Sequence, residues 1–322
     1  MAQWQKITIQ RDNDEMAEAQ APVIISASRS TDIPAFYADW FFHRLKAGYS
    51  AWTNPFNGVK SFVSYENCRF IVFWSKNPKP LLEHLDELKE KNIGCYIQYT
   101  LNDYENEGLE KGVPPLEDRI ATFKTLVDKL GKGRVIWRFD PLLLTDQINT
   151  DVLLRKIENI GDQLQGYAEK LVFSYADIAL YKKVKTNLDK SHVCYQEWTT
   201  EQMEEFAKML SALNQKWHYQ LATCGEKIDL EQYGIQHNRC VDDDLMIRFA
   251  HHDKALLDFL KKKDNRDKGQ RQFCGCMVSK DIGEYNTCPH LCEYCYANAS
   301  KELAVKNWKQ HENNRFGETI TG

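Results

Sequence analysis

The sequence predicts an α/β fold built on parallel strands, a TIM-like (β/α) barrel of about six or more βα units. Three observations carry this expectation. Short apolar segments alternate with amphipathic helical segments about six times along the chain. The apolar segments are hydrophobic nearly throughout, as strands covered on both faces must be. Each then ends in polar, chemically capable residues, which a barrel gathers into one ring around a common mouth. No GxGxxG or P-loop motif follows any of these segments, which argues against a nucleotide-binding open sheet.

Taken in order, residues 1–20 are polar and are expected to form a mobile arm outside the fold. Residues 23–27 read as a short buried strand, leading through Arg29 and Asp32 into a helix that starts at Pro34 and stops at Gly48. The next strand, 70–74, ends at Ser75, Lys76 and Asn77. The helix after it sets Leu81, Leu82, Leu85 and Leu88 on one face. A third strand runs from Cys95 to Thr100 and Asn102, and a helix follows over 115–130. The fourth, "RVIWRFDP", holds Arg138 and Asp140 alternately among apolar residues, so both face one side. A charged pair in such a place is either a structural ion pair or part of a site. A helix over 149–164, a strand ending at Ser174 and Asp177, a helix over 199–215 and a strand ending at Thr223, Cys224 and Glu226 complete the alternation. Thr199, before an acidic first turn, is the expected cap of the last helix. Near Lys261 both periodicities are lost, which divides the chain into the arm, a barrel over 21–262 and a cysteine-rich segment over 263–322 that closes it. The basic run Lys261, Lys262, Lys263, Arg266, Lys268, Arg271 is diluted by Asp264 and Asp267 and has no interleaved aromatics. It reads as a solvated linker rather than a nucleic-acid surface.

Composition narrows the function classes. The chain has 322 residues, 43% hydrophobic and 27% charged, with a formal net charge of -4, so no overall basic field argues for nucleic acid. No apolar run approaches a membrane span, and the N-terminus has no signal-peptide core. The expected location is the cytosol, where thiols stay reduced and ten cysteines point to metal or catalysis rather than to disulfides. Cys68, Cys95 and Cys194 are scattered and are expected to be plain structural thiols. The other seven, Cys224, Cys240, Cys274, Cys276, Cys288, Cys292 and Cys295, fall in the last third.

Cys288, Cys292 and Cys295 are spaced C-x3-C-x2-C in "CPHLCEYCYAN". Structural zinc usually takes four ligands in two pairs. A compact loop of three thiols suits a four-iron cluster whose fourth iron stays open for a small molecule. Tyr294 and Tyr296 flank the last cysteine and are expected to pack on a cluster or an adenine. His290, inside the loop, is expected to be a solvent-exposed loop histidine. Cys224, Cys240, Cys274 and Cys276 form a second set, with two readings: an auxiliary iron–sulfur cluster, toward which the C-x-C pair leans, or a structural zinc.

The aromatic-flanked C-x3-C-x2-C motif resembles the signature of the radical S-adenosylmethionine superfamily. The segments "SASRSTDIPAFY", "FWSKNPKP", "YTLNDYE", "WRFDP" and "CGCMVSKDIGEYNTCPHLCEYCYAN" more closely resemble an uncharacterised bacterial domain family with a C-terminal cysteine cluster of that kind. The resemblance implies a [4Fe-4S] cluster on Cys288, Cys292 and Cys295, with S-adenosylmethionine chelated to the open iron and cleaved to a 5′-deoxyadenosyl radical. It also implies an electron donor such as flavodoxin or ferredoxin, and a substrate of unknown identity. In the superfamily the cysteine loop follows the first strand; here it comes last, so the barrel is expected to be permuted. On this reading Arg138, Asp140 and Lys76 are expected to contact the reacting groups. Arg29, Thr100, Asn102, Glu226 and Tyr294 are expected to hold the cofactor. The alternatives are a zinc-stabilised structural or nucleic-acid-binding module on an α/β barrel, and an iron–sulfur electron-transfer protein without S-adenosylmethionine chemistry.

Overall fold

The computed structural model describes residues 4–54, 57–269, 271 and 273–322. Within residues 1–20, expected to be a mobile arm, the chain instead forms an antiparallel hairpin of β1 (Gln5–Gln10) and β2 (Met16–Ala21). Alternation in "QKITIQ" and "MAEAQA" supports the pairing, but the apolar residues are small or few and conceal it. β3 (Ile24–Ala27) follows, then a helix interrupted at Tyr37 into α1 (Ile33–Phe36) and α2 (Ala38–Ala47). Gly48 ends α2 in the left-handed region, at φ 86°. A second hairpin, β4 (Tyr49–Thr53) and β5 (Lys60–Ser64), joins the first in a four-stranded sheet of order β1-β2-β5-β4.

The repeating part then begins with β6 (Phe70–Ser75), α3 (Leu85–Glu90), β7 (Gly94–Thr100), α4 (Leu116–Leu130) and β8 (Val135–Leu142). After the two-residue β9 (Leu144–Thr145) come α5 (Thr150–Leu164), β10 (Lys170–Tyr175), α6 (Lys182–Lys190) and β11 (Tyr195–Gln196), which pairs with β9. α7 (Thr200–Leu213) starts with the expected Thr199 cap, completed by Gln202 into a capping box. β12 (Gln220–Thr223), β13 (Ile235–His237), α8 (Asp243–Phe249), α9 (Lys254–Leu260), β14 (Lys280–Asp281) and α10 (Lys301–Asn313) complete the chain.

Eight strands form one parallel sheet in the order β13-β12-β10-β8-β7-β6-β3-β14. Strand neighbours are sequence neighbours, except that β14, the last strand, lies beside β3, the first. Residues alternate between two buried cores. Ile71, Phe73, Ile97, Tyr99, Trp137 and Phe173 face a core shared with the helices. Phe70, Val72, Tyr96, Ile136 and Val172 face a second core. That core is filled by Met246 of α8, Leu256 and Leu260 of α9, and Met277.

The expected closed barrel is corrected here: β13 and β14 do not pair, so the sheet has two edges. Loops bridge them, with Met277 N donating to Val241 O at 2.9 Å. β14 has only two residues, too few to extend a ladder across the gap. The basic segment that reads as a solvated linker is partly tied down. Arg266 holds Asp243 at the start of α8 in two hydrogen bonds, of 2.9 and 2.5 Å.

Candidate metal and cofactor site

The candidate residues gather at the C-terminal ends of the parallel strands, where α/β sheets place their sites. Asp32, in the loop after β3, organises one side. Its Oδ1 caps α1 through Ala35 N at 3.0 Å and accepts from Ser75 Oγ at 2.7 Å. Its Oδ2 accepts from Lys76 N at 2.7 Å and meets His290 Nε2 at 2.8 Å. His290 is therefore not a solvent-exposed loop residue: it is 2% exposed, and its other ring nitrogen lies 2.9 Å from Gly112 O.

Lys76 reaches Glu110 Oε1 at 2.7 Å and Tyr294 Oη at 2.9 Å. Burial alone would lower the Lys76 pKa; Glu110 and then Cys292 outweigh it and hold the ammonium above its ordinary value. Glu110 is held below the usual carboxylate value, because Lys76 and Arg119 together overcome its own burial. Tyr294 donates to Glu110 as well. Asn102 donates to Tyr294 Oη at 3.0 Å and accepts from Asp140 N at 2.8 Å. Arg138 pairs with Asp140 and donates to Gln98 Oε1 and Cys240 Sγ, each at 3.2 Å. Ser174 donates to Asp140. Asp140 thus stays ionised: Arg138, with Ser174, outweighs burial. A continuous polar floor runs from Lys76 through Glu110, Tyr294, Asn102 and Asp140 to Arg138, with one thiol set at each end.

The first set is Cys288, Cys292 and Cys295, in the loop between β14 and α10. Burial raises all three thiols, and each of Cys288 and Cys295 adds to the rise at Cys292. Asn298 N donates to Cys295 Sγ at 3.3 Å. An N–H aimed at sulfur favours the thiolate. Cys68 lies apart from both sets. It is raised to about 12 by burial, and its thiol donates to Phe70 O. Cys68 and Cys95 are buried structural thiols, as expected; Cys194 lies exposed.

The second set joins residues far apart in sequence. Cys224 Sγ lies 3.3 Å from Cys240 Sγ, and Cys274 Sγ 3.0 Å from Cys276 Sγ. Cys276 Sγ accepts from Cys240 N at 3.2 Å. Among the described residues, no three His, Cys, Asp or Glu side chains surround a point as a metal ion requires. The donor chemistry nonetheless fits metal: soft thiols in two sets, with N–H groups directed at sulfur.

Of the remaining expected residues, Arg29 stacks over Trp74 and faces Asp267 at 4.0 Å, while its backbone N–H donates to Asp281. Tyr296 donates to Arg29 O at 2.5 Å. Glu226 accepts from Tyr175 N at 3.0 Å, and burial pushes its carboxyl to about 7, suited to proton transfer at neutral pH. Thr100 ends β7, half-buried.

Sequence reasoning missed Glu110, Asn298 and Gly112. Asn298 lies just past the motif; its Nδ2 donates to Cys288 O at 2.8 Å, and its buried Oδ1 has no hydrogen-bond partner. It is a free acceptor beside the three thiols. Gly112 donates to His290 O at 3.0 Å, and a Cβ there would lie 2.6 Å from Pro289 O and 2.7 Å from His290 O. Backbone carbonyls cannot swing aside as a side chain would. Gly112→Ala is therefore expected to displace the cysteine loop and lower iron retention after reconstitution about tenfold, as loss of a supporting contact behind a ligand does. Iron analysis beside unfolding curves would separate this from global destabilisation. A surface groove of about 690 Å³, lined in part by Arg69, Lys91 and Ile93, lies at the N-terminal ends of β6 and β7, away from these groups.

Comparison with known families decides the membership. The profile of a family described as "Domain of unknown function (DUF1848)" matches residues 24–297. The chain belongs to this family. The DUF1848 match takes in the eight-stranded sheet, both thiol sets and the polar floor. No curated protein and no solved structure matches the chain. Among the described residues, no helix is long and apolar enough to cross a membrane.

Proposed function

We propose that the chain is an iron–sulfur enzyme of the radical S-adenosylmethionine type. Cys288, Cys292 and Cys295 would hold a [4Fe-4S] cluster with one open iron. The observation that carries this reading is the position of the three thiols in the loop after β14, with Cys292 buried beside Lys76 and Glu110 of the strand-end polar floor and Asn298 N donating to Cys295 Sγ at 3.3 Å. The placement of β14 beside β3 supports a permuted barrel, in which the strand leading into the cysteine loop comes last in the chain.

When bound, the cluster supplies the electron that splits S-adenosylmethionine into methionine and a 5′-deoxyadenosyl radical. The chain's own residues bind, orient and exclude water. Asn298 Oδ1 is the unpaired acceptor for a donor such as the cofactor's amino group. Tyr294 sits fully desolvated between Lys76, Glu110 and Asn102, and so fixes the loop on the floor. Glu226, with its carboxyl near neutrality, is the candidate proton donor or acceptor toward a substrate. Arg138 is held by Asp140 and Cys240, so it orders the floor more readily than it reaches a ligand. The reading places the protein in the cytosol with a flavodoxin- or ferredoxin-like donor. It leaves the substrate as the organic molecule that contacts the floor between the two thiol sets.

The test is an iron and sulfide count on anaerobically purified, reconstituted protein, followed by titration with S-adenosylmethionine. About four irons and four sulfides lost on substitution of the three cysteines, with a cluster spectrum altered by S-adenosylmethionine, are expected. A cluster spectrum indifferent to S-adenosylmethionine would favour plain electron transfer.

A further inference from the structure

The second thiol set lies at the one place where the parallel sheet fails to join itself. Cys224 follows β12 directly, and Cys240 lies three residues past β13. These belong to one end of the sheet. Cys274 and Cys276 lead into β14, at the other end. No strand pairing crosses between β13 and β14. Two of the contacts that do cross are made at Cys276, whose Sγ accepts from Cys240 N at 3.2 Å and from Val241 N at 3.4 Å, beside Met277 N to Val241 O and Arg266 to Asp243.

We infer that Cys224, Cys240, Cys274 and Cys276 hold one zinc ion in a closed four-thiolate site that fastens the two edges of the sheet together. This site does not depend on the three-cysteine loop and is structural, since four protein ligands leave no open position. The short spacing within each pair argues against a four-iron cluster. On a cluster, each thiolate binds a different iron, so the cluster's own size holds the sulfurs apart. Here Cys224 and Cys240 are 3.3 Å apart and Cys274 and Cys276 3.0 Å. A single tetrahedral zinc with bonds of about 2.3 Å sets its sulfurs about 3.8 Å apart. Closing on zinc thus asks these pairs to spread by roughly 0.5–0.8 Å, within reach of side-chain rotation.

The surroundings fit the charge. Four thiolates on a divalent ion carry a formal charge of two minus. Arg138 Nη1 lies 3.2 Å from Cys240 Sγ, and Arg271 Nη2 lies 3.8 Å from Cys224 Sγ. Asn238 Nδ2 approaches Cys240 Sγ at 3.5 Å. Gly225 makes the second arginine contact feasible, because a Cβ there would meet Arg271 Cζ at 2.5 Å. Guanidinium and N–H donors around sulfur are the supporting groups that a thiolate metal site uses. As zinc binds, each protonated thiol releases its proton to solvent.

The test uses the full chain carrying Cys288→Ala, Cys292→Ala and Cys295→Ala, expressed with both iron and zinc supplied and purified without oxygen. About one zinc per chain, no sulfide and an unfolding midpoint lowered by chelation are expected, with the same zinc content in the unsubstituted protein. Cobalt(II) in place of zinc should give the spectrum of a tetrahedral four-thiolate site. Cys274→Ser, at the least buried of the four positions, should cut zinc occupancy at least about tenfold without unfolding the chain. Iron with sulfide in the triple variant would overturn the inference. So would metal-free folded protein whose four thiols titrate freely or are paired as disulfides. Neither result bears on the three-cysteine loop, which the triple variant lacks.

Discussion

Cys292→Ser is expected to abolish iron binding at the C-terminal loop and to reduce 5′-deoxyadenosine formation more than about 100-fold, beyond what loss of a partner behind a metal ligand costs. Cys292 is the middle thiol of the loop and is nearly fully buried beside Lys76 and Glu110. Serine keeps the size of the side chain but offers iron a hard oxygen in place of a soft thiolate. The zinc expected at Cys224, Cys240, Cys274 and Cys276 should remain, which serves as an internal control for folding. Iron and zinc measured on the same sample check both statements. A variant that keeps its iron and its cleavage activity would remove Cys292 from the site.

Arg138→Met is expected to destabilise the fold by about 1.5–3 kcal/mol, the cost of losing hydrogen bonds to a charged group in a half-buried ion pair. Arg138 and Asp140 lie on the inner face of β8, and the arginine is 3% exposed. Without the guanidinium, Asp140, whose side chain is 23% exposed, keeps a half-buried unpaired negative charge, and Cys240 loses a cation 3.2 Å from its sulfur. The double variant Arg138→Met/Asp140→Leu should recover much of the loss, because no unpaired carboxylate remains. Urea unfolding of the two variants measures the difference. A single variant within about 1 kcal/mol of the parent would show that the pair is not the anchor of the inner face.

The helices and central strands were legible because their signals are local. The apolar run at 70–74 and the alternation around Arg138 need no partner to be read, and the structure places both in the parallel sheet. The strand-end residues Lys76, Asn102 and Asp140 were legible for the same reason, and one polar floor joins them. What the sequence concealed depends on distant contacts. The hairpin of β1 and β2 carries small and polar residues whose burial arises only on docking to β5. β14 is two residues long and gives no periodic signal. The open seam between β13 and β14 follows from that shortness, whereas repeated βα units alone suggest closure. Glu110 sits in a glycine-flanked loop, where a charge ordinarily means solvent; only the approach of Lys76 and Tyr294 makes it a buried carboxylate. His290 reads as a loop residue until Asp32, 258 positions away, is brought to its ring.

The most direct test of the account is formation of 5′-deoxyadenosine. Reconstituted protein is reduced with dithionite in the presence of S-adenosylmethionine, and the products are followed by chromatography and mass. The account predicts 5′-deoxyadenosine and methionine in equal amounts, formed by the parent protein and absent with Cys292→Ser. Full iron and sulfide loading with no 5′-deoxyadenosine, either alone or with a range of organic substrates, would contradict it and leave the three-cysteine loop as the seat of an electron-transfer cluster.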